Sequence, residues 1–425
     1  MNNQFVFEGR QKAVLGSLIL LGIICLVITF VTDDAYHTRF WTNFLHNTVF
    51  FTGVSFMSLF ILAAFTTAYS GWHTVMKRVW EAYSGFLVVG FVFLLFLVAG
   101  VWMHWHHLYH WAADGITDIS DPHYDAILAG KSGFLNKNWY TFGTVVIVSV
   151  WAFFAYRLRS LSLQEDERGG DGYAIHRKIK FVSAIFLPIA AFTSCAMIWQ
   201  WVMSIDAHWY STMFAWYATA SWAVSAFAIT ILTLIYLKSK GYYPNVTAEH
   251  FHDIGKYLFG ISVFWTYLWF SQFMLIWYAN VGEETGYFLL RRDNYTFIWY
   301  ANLVLNFVLP FLVLMRNDTK RKFGTLAFVS IIVLIGHWID FFMMVKPGAL
   351  ITAKEAALLE AGGHAGHHEM TYEFMMGFTI PGFLEIGTFL GFGALFMYVA
   401  FTQLAKAKLE PEHDPYLAES LHHHV

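Results

Sequence analysis

The chain has 425 residues, 57% hydrophobic, 20% aromatic and only 13% charged, a combination foreign to soluble globular domains and expected where most of the solvent is lipid. Its net charge of -3, with basic residues scattered through short loops, leaves no electrostatic footprint for a nucleic acid. The two cysteines, Cys25 and Cys195, sit in apolar runs outside any CxxC pattern, which excludes a disulfide scaffold, iron-sulfur ligation and c-type haem attachment by this chain.

Ten apolar runs meet the length of about 20 residues needed to cross a hydrocarbon core of about 30 Å. They centre near Leu21, Met57, Leu94, Ile147, Ala190, Val224, Phe264, Leu305, Val333 and Leu390. The fold class predicted is all-α, a polytopic membrane protein with about ten transmembrane helices. The first run follows Arg10 and Lys12 but is too long for a signal-peptide core and lacks a small-residue cleavage site, so it reads as a retained span.

Basic residues are distributed unevenly. Of the 26 Lys and Arg, 19 fall at the N-terminus, in the connections after the second, fourth, sixth and eighth spans, and in the C-terminal tail, leaving 7 on the opposite side. The positive-inside rule then places both termini in the cytoplasm, with 405–425 as a cytoplasmic tail. The opposite loops, 104–138 and 346–374, are too short for a substantial second domain, so 1–425 reads as a single integral membrane domain. A weak internal repeat at an offset of 170 pairs Gly85 with Gly255, Gly90 with Gly260, Phe44 with Phe214 and Ser55 with Ser225. A duplication of four helices would give two parallel bundles, spans two to five and six to nine.

At the outer end of the third span, His104, His106, His107 and His110 alternate with Trp102, Trp105 and Trp111. If the helix continues, His106 and His110 share a face. Boundary histidines and tryptophans are common at a membrane interface, and no closing ligand is evident, so no metal is assigned. Asp206 and His208 occupy the short outer turn between the fifth and sixth spans, where they either relay protons or cap helix ends. On the seventh span Trp265, Trp269 and Gln272 recur at helical spacing, as the wall of a quinone cleft or as ordinary helix packing. The glycine-rich outer segment with His364, His367 and His368 has no evident ligand pattern.

Ionisable residues inside spans are costly, about 2.5 to 3.5 kcal/mol at a helix centre, so each needs a reason. His337 and Asp340 lie three apart on the ninth span, and Glu385 lies on the tenth. With Val345 and Gly377 as outer ends, His337 and Glu385 reach the same depth of about 12 Å, and the three groups are expected to meet. They form either a proton half-channel open to the outside or a hydrogen-bonded cluster that fixes helix packing. A membrane haem needs two facing histidines, and His46, His104 and His337 all lie toward one side, so haem is not assigned.

Four segments carry a family resemblance: 104–111, reading His-Trp-His-His-Leu-Tyr-His-Trp; 202–212, reading Val-Met-Ser-Ile-Asp-Ala-His-Trp-Tyr-Ser-Thr; 271–280 with Glu283, Glu284 and Thr285; and 414–421, reading Asp-Pro-Tyr-Leu-Ala-Glu-Ser-Leu. Over almost its whole length the chain resembles the second NrfD-like membrane subunit of bacterial alternative complex III, a quinol:cytochrome c oxidoreductase. The resemblance implies two four-helix bundles, spans 2–5 and 6–9, with two peripheral helices, in a bacterial inner membrane. It implies as partners the other NrfD-like subunit, iron-sulfur and multihaem cytochrome c subunits carrying the redox centres, and a terminal oxidase. Menaquinone or another quinone is the implied substrate of the complex. It also places His422 to His424 in a native tail, and sets Gln200 where related segments often have an acid.

The expected role is a proton-conducting or charge-coupling subunit, not catalytic alone, using His337, Asp340 and Glu385 with an outer mouth at Asp206 and His208. The alternatives are a quinone-binding subunit, with His104, His107, Trp265, Trp269 and Gln272 as candidates, and an assembly scaffold for the redox subunits.

Overall fold

The computed structural model describes residues 4–121, 123–168, 172–360 and 374–424. Lipid offers backbone groups no hydrogen-bond partners, so a chain this apolar must satisfy them within helices. Among the described residues, ten helices are long and apolar enough to cross a bilayer. In chain order they are α1 (Gly9–Thr32), α2 (Thr38–Thr67), α3 (Thr74–Trp102), α4 (Lys137–Arg168), α5 (Gly172–Trp201), α6 (Thr212–Ser239), α7 (Ala248–Ala279), α8 (Thr296–Leu314), α9 (Phe323–Glu360) and α10 (Phe383–Leu404). All ten predicted centres fall inside them. The protein is a polytopic helical membrane protein.

Helices α2 to α5 pack in a closed ring, each against the next and α5 back on α2, and α6 to α9 do the same. The bundles meet where α2 packs on α6 and α9, and α5 on α6. The helices opening each bundle are therefore central, and burial covers 89% of the apolar window of α2 and 83% of that of α6, against 17% for α1. Their apolar side chains all round follow from neighbours on every side. At the contact, Gly53 of α2 lies flat under Trp222 of α6, and a Cβ there would fall 1.8 Å from the indole. Helices α1 and α10 pair outside both rings. A Cβ on Gly22 would lie 2.6 Å from the Gly391 Cα, an approach only small residues permit.

Both termini lie on one face, where the Gln4 side-chain amide donates to the Ala405 carbonyl at 3.2 Å. We call this the terminal face and its opposite the far face. The C-terminal tail folds back under the bundles. Lys77 Nζ donates to Asp414 at 2.5 Å, the Ser420 hydroxyl donates to the Trp72 carbonyl at 2.7 Å, and His423 pairs with Asp253 at 2.7 Å.

Three boundaries differ from expectation. Helix α3 ends at Trp102, so the histidine cluster runs through irregular chain and the shared face of His106 and His110 does not form. Helix α9 continues well past Val345, through Pro347. Helix α10 begins only at Phe383, because Pro381 and Gly382 mark its start. A further helix, Gly282–Asn294, joins α7 to α8 on the far face. His364, His367 and His368 lie outside the described residues.

Candidate functional site

The polar centre of the second bundle is built around Asp340, fully buried on α9. All four helices of the ring contribute. From α6 the Tyr217 hydroxyl donates to Asp340 Oδ1. From α7 the Trp265 indole donates to Oδ2 at 3.0 Å, and from α8 the Asn302 amide donates to Oδ1 at 2.8 Å. Three donors on two oxygens are the coordination of an acceptor-only carboxylate. His337, one turn earlier on α9, has Nδ1 at 2.9 Å from the Ser221 hydroxyl and 4.0 Å from Asp340 Oδ2. Its Nε2 is buried without a partner among the described residues, which is where an ordered water or a transferred proton belongs.

From this centre polar groups lead toward the far face. Tyr287, on the Gly282–Asn294 helix, lies within electrostatic reach of Asp340, Asp206 and Arg291, and Tyr217 is within reach of Tyr287. Arg291 is buried, stacks 3.4 Å above the Tyr287 ring and pairs with Asp206 at 2.9 Å. Asp206 thus anchors an ion pair and does not cap a helix with its side chain. Beyond it, Glu355 bonds His110 at 3.1 Å, the His110 ring lies 5.7 Å from that of His208, and His208 bonds Asp125 at 2.6 Å. Burial disfavours the Asp125 carboxylate, but the bond from His208, the Leu128 and Ile127 amides and the His208 charge outweigh it and hold the carboxyl below its usual range. The expected placing of Asp206 and His208 at one mouth with His337 and Asp340 behind it is compatible with this geometry.

Glu385 stands apart, and the expectation that it meets His337 is corrected. It belongs to the first turn of α10, where Oε2 accepts the Gly382 N–H at 2.8 Å. Arg39 of α2 grips it at 2.8 and 2.9 Å, and Asn43 adds 2.9 Å. A second cation, Lys346 of α9, is fully buried nearby, donating to Thr42 at 2.7 Å and facing the Phe378 ring. The late start of α10 is the physical reason, since the residues assumed to bury Glu385 by two turns are not helical.

The quinone candidates do not converge. His104 is exposed beside Lys137 and Asp114, and His107 packs edge-on against Tyr36. Trp265, Trp269 and Gln272 are buried inside the second bundle, Trp269 stacking between Trp265 and Trp299. A lateral cavity of about 390 Å³ opens instead where α2, α5, α6 and α7 meet, walled by Phe56, Phe60, Trp216, Phe227, Tyr257 and Phe264 among others. It includes none of the candidates.

A second polar cluster sits at the terminal face of the first bundle, in residues that sequence reading had treated as loop charges. Lys77 bonds Glu165 at 3.2 Å and Asp414 at 2.5 Å, His176 bonds Glu165 at 3.2 Å, and Arg78 pairs with Glu81 at 2.7 Å and with Asp166. Glu165, His176 and Asp414 bring ligand atoms within 4.8 Å of one another, but the Lys77 ammonium already bridges the two carboxylates. Gln200 of α5 donates to the Phe134 carbonyl at 2.7 Å and takes no part in either cluster.

Tyr217, Ser221 and Asn302 were not foreseen. The available signal was helical spacing inside apolar runs: Tyr217 and Ser221 lie four apart on α6, as do Asn302 and Asn306 on α8. No family model matches the chain, and no curated protein shows significant similarity to it.

Proposed function

We propose that this chain is a membrane subunit of a respiratory quinol:cytochrome c oxidoreductase of the alternative complex III type, and that its second bundle carries protons between Asp340 and the far face. The observation that carries the proton role is a fully buried carboxylate and histidine on α9, met by polar groups from the other three helices of the ring. Buried ionisable groups inside membrane bundles mark proton and ion pathways more often than packing alone explains. Tyr217, Tyr287 and the Asp206–Arg291 pair supply hydroxyl and charged groups in the outward direction. In this reading the chain acts with iron-sulfur and multihaem cytochrome c partners, which carry the redox centres, and with the other NrfD-like subunit. The membrane is then the bacterial inner membrane, with the terminal face cytoplasmic.

The test is Asp340→Asn in the intact complex, reconstituted in vesicles. The complex is expected to assemble with full haem content and to release fewer protons per electron. An unchanged ratio removes Asp340 from any proton path.

A second reading, a quinone-binding subunit, is favoured by the lateral cavity, whose size and aromatic walls suit a prenylated ring entering from lipid. Quinone extracted with the wild-type complex but lost on Phe60→Ala would support it. Equal quinone content in the two would count against it.

A further inference from the structure

Helix α8 faces Asp340 through an irregular turn. Between Thr296–Leu303 and Leu309–Leu314 the helix widens into a π-turn, Val304–Val308, in which the Leu309 N–H bonds the Val304 carbonyl five residues back. Such turns are rare, occur singly inside α-helices and concentrate at functional sites. Two features of the sequence hold this one open. Pro310 lacks an N–H, and in an α-register its ring would meet the Asn306 carbonyl four residues back. On the facing helix, Gly336 leaves room for the widened turn. A Cβ there would lie 2.2 Å from Asn306 Oδ1 and 2.9 Å from Leu305 Cβ.

The turn carries a short amide relay. Asn306 Nδ2 donates to Asn302 Oδ1 at 2.6 Å, and Asn302 Nδ2 donates to Asp340 Oδ1 at 2.8 Å. Both asparagines are buried, and Asn306 Oδ1 has no donor of its own among the described residues. A buried acceptor left unpaired is unfavourable, so the arrangement is not the best one for Asn306 itself. What it accomplishes is the placing of Asn302.

We propose that Asn302 is a positioning residue for Asp340 and that the π-turn sets the register from which its amide reaches the carboxylate. This rests on the proton reading above. An α-register at this turn would rotate one half of α8 against the other by about 100° and shift it by about 1.5 Å, taking the Asn302 amide off Asp340 Oδ1. With the turn held open, the amide fixes the carboxylate in the orientation in which it also meets the Tyr217 hydroxyl and the Trp265 indole.

The test uses the whole complex in vesicles, with proton release per electron and the carboxyl C=O band in redox-induced infrared difference spectra as readouts. Asn302→Leu removes the donor, Gly336→Ala presses on the turn, and Asn302→Gln keeps an amide as the conservative control. The first two are expected to slow coupled proton release about tenfold relative to electron flux and to alter the carboxyl band that Asp340→Asn abolishes. Asn302→Gln restores part of both. Should Asn302→Leu disrupt assembly, the single methyl of Gly336→Ala decides. Unchanged release and an unchanged band in Gly336→Ala and Asn302→Leu, with Asp340→Asn uncoupled, overturn the positioning role and leave the proton reading standing. Normal coupling in Asp340→Asn overturns the proton reading itself.

Discussion

The Arg39–Glu385 pair separates a structural from a conducting role for the acid of α10. The Glu385 side chain is 1% exposed and accepts four hydrogen bonds, two of them from Arg39, which is 20% exposed. In Arg39→Met a buried carboxylate keeps only Asn43, the Gly382 N–H and the nearby Lys346. Breaking a buried pair from one side costs about 3 to 5 kcal/mol, and Lys346 sets the expectation at the lower end, about 3 kcal/mol. Glu385→Gln is milder, about 1 to 2 kcal/mol, because Arg39 can turn toward solvent. In Arg39→Met/Glu385→Gln the buried carboxylate that Arg39→Met strands is replaced by a neutral amide, so the double variant should be less destabilised than the sum by about 2 kcal/mol. Equilibrium unfolding of the purified chain in mixed micelles with increasing dodecyl sulfate measures all three. Strict additivity would refute the argument that this pair ties α2 to α10. Lost proton coupling in Glu385→Gln at unchanged stability would return the residue to the proton path.

Two further predictions concern the far face and the junction of the bundles. Because Asp125 titrates below its usual range, its bond to His208 stabilises the 104–136 connection at and above about pH 4, the ordinary aspartate value, and that stability is lost as pH falls through the lower folded value. Pepsin cleavage of this connection should therefore rise steeply at the acid end in the wild type and show little pH dependence of docking in Asp125→Asn. Gly53→Leu drives a side chain into the Trp222 indole and should cost at least about 1 to 3 kcal/mol. Trp222→Ala in the same chain should recover part of the loss, as read by thermal unfolding in detergent.

What the sequence disclosed followed the strength of each physical signal. Long apolar runs gave all ten spans, because crossing a bilayer leaves little choice of length or structure. His337 and Asp340 were found because charge in lipid is rare. Tyr217, Ser221 and Asn302 went unseen because scattered hydroxyls and amides in an apolar run are uncharged and common, and only packing brings three helices onto one carboxylate. Glu385 was found but misplaced. Pro381 and Gly382 were the available sign that α10 starts late, and apolar neighbours at Phe378 and Ile380 masked it. Of the seven basic residues on the far side, Arg291 is the buried partner of Asp206, Arg39 the half-buried partner of Glu385, and Lys346 is buried within electrostatic reach of Glu385. A charge count treats them as loop residues. The histidine cluster misled by spacing alone, since a shared face requires a helix and α3 stops at Trp102.

The folded-back tail bears on how the chain is made. Asp414 and Ser420 grip the start of α3 in the first bundle, while His423 holds Asp253 of α7 in the second. These anchors come from halves of the protein synthesised far apart, and the tail emerges after both. It can fasten to both only when the two bundles have been inserted and brought side by side, so a half-inserted chain presents a loose end.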